Sequence, residues 1–238
     1  MKRELMSVRS FEGWAAALGS VLVLGSLVLI WMARLSLTRD VYVSEMGAPG
    51  EPTAEMFEIA LLLVVVGGTL IAYGSRDIRS RGKILLAITP AVSLWIASGF
   101  FLVASQITCT PGCPVPYGDQ FTWQDLTHIV CAVLAFAAAC WAMLQVSFAH
   151  NQRRMALISR VAGIAVALIA SAGGILSLIG VATNFGSRLE FVATTVAIAW
   201  VAVYGLVNAN RKLGQADVSP RGTPSPLLAG DDLEKAIR

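Results

Sequence analysis

Charged residues are scarce in this sequence. Asp, Glu, Lys and Arg make up only 14% of the 238 residues, whereas hydrophobic residues make up 56%. Soluble domains contain roughly 25% charged residues, so these charged side chains are too few to cover a water-facing surface around so much apolar material. The scarcity argues against soluble enzymes, nucleic-acid-binding proteins and disordered chains, and it indicates a protein whose main solvent is lipid.

The motifs of familiar enzymes are also lacking. The chain has two histidines and no HxxxH or HExxH pattern that would bind a metal. It has no GxSxG nucleophile turn and no glycine-rich phosphate loop. We therefore predict no metal site and no cofactor, and the sequence identifies neither a nucleophile nor a reaction.

Long apolar stretches are abundant. A hydrocarbon core about 30 Å thick is crossed by roughly 20 helical residues. Six uncharged runs of about this length, without the alternation of a strand, predict an all-α bundle of six transmembrane helices. The runs are residues 14–33, 59–75, 84–105, 129–149, 161–182 and 191–210. Pro90 lies inside the third run, and we expect it to kink that helix.

The basic residues are divided unevenly between the loops. Three of the 18, Arg34, Arg39 and Arg188, lie in the odd-numbered loops between spans, and all others lie on the opposite side of the predicted membrane. The positive-inside rule then places both termini in the cytoplasm. The predicted organisation is a cytoplasmic N-terminal segment over residues 1–13, a membrane domain over 14–211 and a disordered, Pro-containing cytoplasmic tail over 212–238.

Two of the four cysteines flank a turn in the predicted outer loop between the third and fourth spans. Pro111 and Gly112 fit the central positions of a type II turn, which brings Cys109 and Cys113 together. Because the outer compartment is oxidising, we favour a disulfide. A redox-active pair or a metal clip is the alternative.

Polar residues at the outer ends of the spans are the candidate functional site. Charge at the mouth of a membrane bundle is costly and therefore suggests a function. We predict one outer polar pocket formed by Ser44, Glu45, Asp125, His128, Arg188 and Glu190. Asp125 and His128 share a helix face, as a general base or a metal-ligand pair would require. Arg188 is expected to be the counter-ion of Glu45 or Asp125.

Each of these residues also has a purely structural interpretation. Thr122 and Asp125 have the spacing of a capping box, which satisfies the free amides at a helix start. His128 could be an interface residue with one hydrogen bond. Arg188 and Glu190 could pair on the surface, and the Ser44 region could be a simple turn.

Three segments together form a recognisable pattern. They are Tyr-Val-Ser-Glu-Met-Gly-Ala at residues 42–48, Thr127-His128 with Ala132 and Phe136, and Gly186-Ser187-Arg188 with Trp200. Over about residues 14 to 210 the chain resembles an uncharacterised prokaryotic family of six-span membrane proteins, catalogued as domain-of-unknown-function family 998. The resemblance implies a multi-pass plasma-membrane protein without an established activity, and it groups Ser44, Glu45, His128 and Arg188 without assigning them a reaction.

The leading functional prediction is an accessory envelope protein that binds a lipid or another membrane protein through the outer polar pocket, with the bilayer as its surroundings and no nucleic-acid partner. The alternative is a membrane-embedded hydrolase or transferase that acts on lipid at the outer leaflet, with His128 and Asp125 as its acid and base or as metal ligands. A transporter is disfavoured because no charge lies near the middle of any span and no inverted repeat is evident.

Overall fold

The computed structural model describes residues 2–81, 84–85, 87–114, 116, 118–149 and 152–217. Within this part of the chain the protein is all-helical, as predicted, and has no strand. A 3-10 turn, Ser44–Gly47, lies between the first two α-helices. The α-helices are α1 (Lys2–Ser36), α2 (Ala54–Gly74), α3 (Pro90–Gln106), α4 (Trp123–Ser147), α5 (Arg153–Leu178) and α6 (Thr183–Asp217).

Five of these helices, α1, α2, α4, α5 and α6, are long and apolar enough to cross a membrane. The protein is therefore a multi-pass membrane protein. Helix α3 is also apolar but has only 17 residues, which at 1.5 Å per residue extend about 26 Å.

The prediction that Pro90 kinks the third helix is wrong, because α3 begins at Pro90. Proline fits the first helical position, where its missing N–H needs no partner. The Thr89 side chain caps this end by accepting a hydrogen bond from the Val92 amide at 3.3 Å. The preceding apolar residues stay outside the helix, and the carbonyls of Leu85 and Ile88 accept hydrogen bonds from the buried Gln145 side chain of α4.

The helices form a closed ring. Each helix packs against the next one in the chain, and α6 packs against α1. At one end of the ring, Glu12 of α1 pairs with Lys212 of α6. We call this the terminal end. The opposite end, which carries Ser44 and Cys109, we call the loop end.

Helix α6 continues through Asp217, past residue 212, where the sequence analysis places the start of a disordered tail. Lys212 is itself only 4% exposed, because it packs into the terminal end. The remaining part of the expected tail, residues 218–238, lies outside the described residues.

Candidate functional site

A cavity of about 580 Å³ lies between α4, α5 and α6; we call it the main cavity. Its walls are mostly apolar side chains of these helices. Its polar lining comes from Tyr42, Ser44, His128, Ser177 and Glu190 at the loop end, and from Ser171 further along α5. The volume falls within the range of ligand pockets in proteins, roughly 300–1,000 Å³. An apolar chamber with a few polar groups at one end suits an amphipathic molecule.

A smaller cavity of about 80 Å³ lies inside the ring and adjoins the main cavity. The two cavities share Ser44, His128, Ala132, Phe136 and Glu190 in their walls. Three of the six residues predicted to form the outer polar pocket therefore line the same space. The other three, Glu45, Asp125 and Arg188, line neither of these two cavities.

The wall of the main cavity between α4 and α5 is only loosely filled. Val133 of α4 and Leu178 of α5 line it and are 60% and 50% exposed. Gly174 also lines it and has no atom within 4 Å of the position that a Cβ would take. The space between these two helices is therefore accessible rather than packed.

Glu190 is positioned by the second turn of α6 and the chain after α1. Its Oε2 accepts a hydrogen bond from the Val43 amide at 3.1 Å, and the Ser44 amide also bonds to its carboxylate. Among the described residues no Lys or Arg forms an ion pair with it. Glu190 therefore holds the Ser44–Gly47 turn against α6 while its carboxylate faces the cavity without a counter-cation.

His128 has a defined proton position. Its Nδ1 lies 3.0 Å from the carbonyl oxygen of Ala104 and 2.7 Å from that of Ile107. Because carbonyl oxygens only accept hydrogen bonds, Nδ1 carries a proton. In the neutral ring Nε2 is then an acceptor, and it has no hydrogen-bond partner within the described part of the chain. His128 thus links α4 to the end of α3 and presents a basic nitrogen at the cavity wall.

Asp125 is a structural residue. Its carboxylate accepts hydrogen bonds at 2.6–3.0 Å from the amides and hydroxyls of Thr110 and Thr122. The predicted capping box with Thr122 is confirmed. Asp125 is fully buried, and the structure gives it no hydrogen bond to His128. The two do not form the hydrogen-bonded acid–base pair that the enzyme hypothesis uses.

Glu45 and Arg188 belong to separate ion pairs at the loop end. Arg39 binds Glu45 at 2.5 Å and Glu51 at 2.6 Å, and the hydrogen bond to Glu45 is the main reason why the pKa of Arg39 is raised. Arg188 instead binds Asp40 at 3.0 Å. The expectations that Arg188 pairs with Glu45, Asp125 or Glu190 are therefore wrong. Arg39 lies only six residues before Glu45, so this local pair costs less chain entropy to form.

The predicted disulfide between Cys109 and Cys113 is present, with the two Cα atoms 5.2 Å apart. The Cys113 amide donates to the Thr110 carbonyl at 2.9 Å, and Gly112 has a φ of +83°, as the third position of a type II turn requires. Both sulfurs touch Ser44: Sγ of Cys113 lies 3.6 Å from its Oγ and Sγ of Cys109 3.5 Å from its carbonyl oxygen. The disulfide thus supports the polar wall of the cavity.

A second ionic cluster, at the terminal end, was missed by the sequence analysis. Lys212 binds both Glu12 and Asp77, Arg76 binds Glu12 at 2.9 Å, and Arg211 binds Asp77 at 2.7 Å. Partial burial raises the pKa of Asp77, but the bonds and charges of Arg211 and Lys212 outweigh it and lower the pKa to about 2. The signal was a pair of opposite charges, Glu12 and Lys212, flanking the first and last apolar runs, but only the Lys and Arg residues were used to predict the topology.

Comparison with known proteins supports the family resemblance but gives no activity. The family model described as "Protein of unknown function (DUF998)" matches residues 14–207. The cytochrome c-type biogenesis protein CcmF of Escherichia coli (strain K12) is 25% identical over 107 residues. That match covers 45% of this chain and 16% of CcmF, so the chain spans only a small part of that protein. No solved structure matches the chain.

Proposed function

Because the chain belongs to the DUF998 family, whose description carries no activity, we propose a function from the cavity itself: the protein binds a membrane lipid or a similar amphiphile between α4, α5 and α6. The observation that supports this is the main cavity, about 580 Å³ in volume, apolar along its length and polar at the loop end. In this role the protein is an accessory component of the envelope.

The arrangement in the membrane belongs to the same proposal. All six helices cross the plasma membrane, both termini lie in the cytoplasm, and the loop end faces outward. Two features support a crossing by α3 despite its length: Ser93 near its start contacts Gln145 at the terminal end, and the Ile107 carbonyl just after it binds His128 at the loop end. The cavity then opens at the outer leaflet, and we expect residues 218–238 to form a cytoplasmic tail. We expect no cofactor.

The binding function is tested by blocking the cavity. Gly174→Phe places an aromatic ring in open space on the cavity wall, whereas Gly99→Phe places one on the outer surface of α3, where a Cβ also meets nothing within 4 Å. We expect untargeted mass spectrometry of lipids retained by the purified protein to find a lipid species enriched over the membrane extract. It should be retained by the wild type and the Gly99 variant and lost from the Gly174 variant. Equal lipid profiles for all three proteins would contradict the proposal.

A second candidate function, a hydrolase or transferase acting on lipid, is favoured by one observation. His128 donates from Nδ1 to two carbonyls, which leaves Nε2 as a base at the cavity wall. If the protein is an enzyme, adding more of the lipid identified as its ligand to the purified protein releases a product. His128→Gln then abolishes product release without loss of lipid binding. If it only binds, neither protein forms a product.

A further inference from the structure

We propose that the amphiphile in the main cavity carries a cationic, amine-type head group and that Glu190 is the residue that binds it. This inference rests on the proposed binding function and adds the chemistry of the ligand. Lipid head groups commonly carry phosphate, so the assignment is selective: it predicts that an anionic head group is excluded from the cavity.

The charge of the cavity walls favours a cationic head group. Glu190 is the one acidic residue, and no Lys or Arg appears, among the described residues that line the two cavities. The other hydrogen-bonding side chains in the walls are all uncharged or histidine: Tyr42, Ser44, His128, Ser171, Ser177 and Thr194. In a low-dielectric chamber an anionic head group would be repelled by this carboxylate without a compensating cation, whereas an ammonium group is attracted.

Arg34, Arg39 and Arg188, near the loop end, already bind carboxylates of the protein. Arg34 binds Asp40 at 2.6 Å, and the pairs of Arg39 and Arg188 use Asp40, Glu45 and Glu51. These carboxylates belong to the first loop rather than to the cavity walls. None of these three guanidinium groups lines either cavity, so none of them is placed to bind a phosphate in it.

Glu190 itself has no cationic partner among the described residues. The carboxylates of the two ionic clusters have Arg or Lys partners. The carboxylate of Glu190 belongs to neither cluster and is held only by the amides of Val43 and Ser44. A carboxylate inside a membrane bundle without a counter-ion is costly. A bound ammonium group supplies that counter-ion, and Nε2 of a neutral His128 can accept one of its N–H groups.

The test uses three photoreactive probes with the same long alkyl chain, which carries a diazirine, and with a primary amine, a hydroxyl or a phosphate as head group. The full-length protein is reconstituted in nanodiscs of zwitterionic lipid, and labelling of α4 to α6 is measured by mass spectrometry. Labelling is divided by the uptake of each probe into empty nanodiscs. We expect the amine probe to label at least about tenfold more than the phosphate probe, a difference of 1.4 kcal/mol.

Variants assign this preference to Glu190. Glu190→Gln removes the charge at nearly constant volume and should reduce amine labelling to the level of the hydroxyl probe. Glu55→Gln is the matched control, because Glu55 is an exposed residue of the first turn of α2 and lines neither cavity. It should leave labelling unchanged. If Glu190→Gln does not fold, the comparison of head groups on the wild type still decides the question.

Competition distinguishes a lipid from a free amine. Excess unlabelled long-chain amine should abolish the labelling, while a short-chain amine should not. Equal competition by the short amine would overturn the assignment of a lipid ligand. Phosphate labelling equal to amine labelling would overturn the head-group assignment and leave the proposed function intact. Absence of specific labelling by all three long-chain probes would contradict the proposed function itself.

Discussion

At the scale of single residues, the carboxylates at the loop end differ in the kind of partner that compensates their charge. Asp125 is surrounded by amide and hydroxyl donors, and Glu45 has an arginine. Glu190 has only two backbone amides and a cavity beside it. The first two arrangements are complete in themselves, whereas the third leaves capacity for a ligand. This difference, rather than the presence of charge alone, identifies the residue to test for function.

The pH dependence of stability should contain a contribution from Asp77. Its pKa is about 2, below the ordinary value of 3.8, so its ionised form stabilises the folded state. This contribution is present above pH 4 and is lost as the pH falls from about 4 to about 2. Since the side chain is 44% exposed, we expect about 1 kcal/mol at most.

Thermal unfolding of the detergent-solubilised protein between pH 2 and pH 7 measures this contribution. Asp77→Asn should unfold at a lower temperature than the wild type at neutral pH, and the difference should shrink toward pH 2. Asp119→Asn is the control, because Asp119 is exposed and has no ion pair within the described residues. A difference for Asp77→Asn that is constant with pH would contradict the assignment.

The disulfide should protect both of its cysteines from thiol reagents. In intact cells Cys109 and Cys113 should resist a membrane-impermeant maleimide until a reductant is added; labelling without reductant would show that the bond does not form. Because the closed ring is short, its loss should cost only roughly 2 kcal/mol. Cys109→Ala should therefore fold, with a lower unfolding temperature.

The residue-scale features that the sequence predicted are local. The capping box joins residues three apart, and the disulfide joins residues four apart across a turn, so chain geometry alone brings them together. The partner of Arg188 is Asp40, 148 residues earlier in the chain. Such a pair depends on how α1 and α6 pack, which a single sequence does not specify.

At the scale of helices, α1 and α2 cross with their backbones in close contact. A Cβ at Gly19 would lie 2.5 Å from the carbonyl oxygen of Gly67, and a Cβ at Gly67 would lie 2.6 Å from that of Gly19. Both contacts are with backbone, which cannot move aside as a side chain can. Small residues at helix contacts allow such proximity in membranes.

Gly19→Ala should therefore destabilise the protein by about 1–3 kcal/mol, the usual cost of overpacking. Gly174→Ala is the control with the opposite sign: it is also helical, has open space at its Cβ, and should gain up to about 1 kcal/mol from helix propensity. Unfolding in a denaturing detergent titration measures both. Equal stability of the two variants would show that the crossing is not tightly packed.

Helix boundaries show where sequence patterns fail at this scale. The apolar run at residues 84–105 predicted a long helix, but hydropathy does not distinguish helical from non-helical apolar residues. Two side-chain features set the actual start, the Thr89 cap and the Gln145 amide that binds carbonyls before it. Gln145 is fully buried, and its role depends on α4 lying beside this segment.

At the scale of the whole molecule, the all-helical fold follows from the apolar runs, but the cavity does not. The ring order places α5 beside α4 and α6, and small residues such as Ala170 and Gly174 keep α5 from filling the space between them. Small residues four apart, such as Ala170 and Gly174, are typical of close helix packing in membranes. At this position the small residues instead line a cavity.

The orientation of the ring in the membrane gives the last prediction. The start of α1 and the end of α6 lie at the end that carries Lys212 and the loop after α2, while Ser44 and the disulfide lie at the other end. The excess of Lys and Arg on the terminal side should retain that end in the cytoplasm. A reporter enzyme that works only in the cytoplasm should be active when inserted at Arg79 or Arg154 or fused to the C-terminus, and inactive at Gly118. Activity at Gly118 together with inactivity at Arg79, Arg154 and the C-terminus would invert the molecule and place the polar end of the cavity at the inner leaflet. Activity at both Arg79 and Gly118, with inactivity at Arg154 and the C-terminus, would mean that α3 does not cross the membrane, since Arg79 and Gly118 are separated by that helix alone.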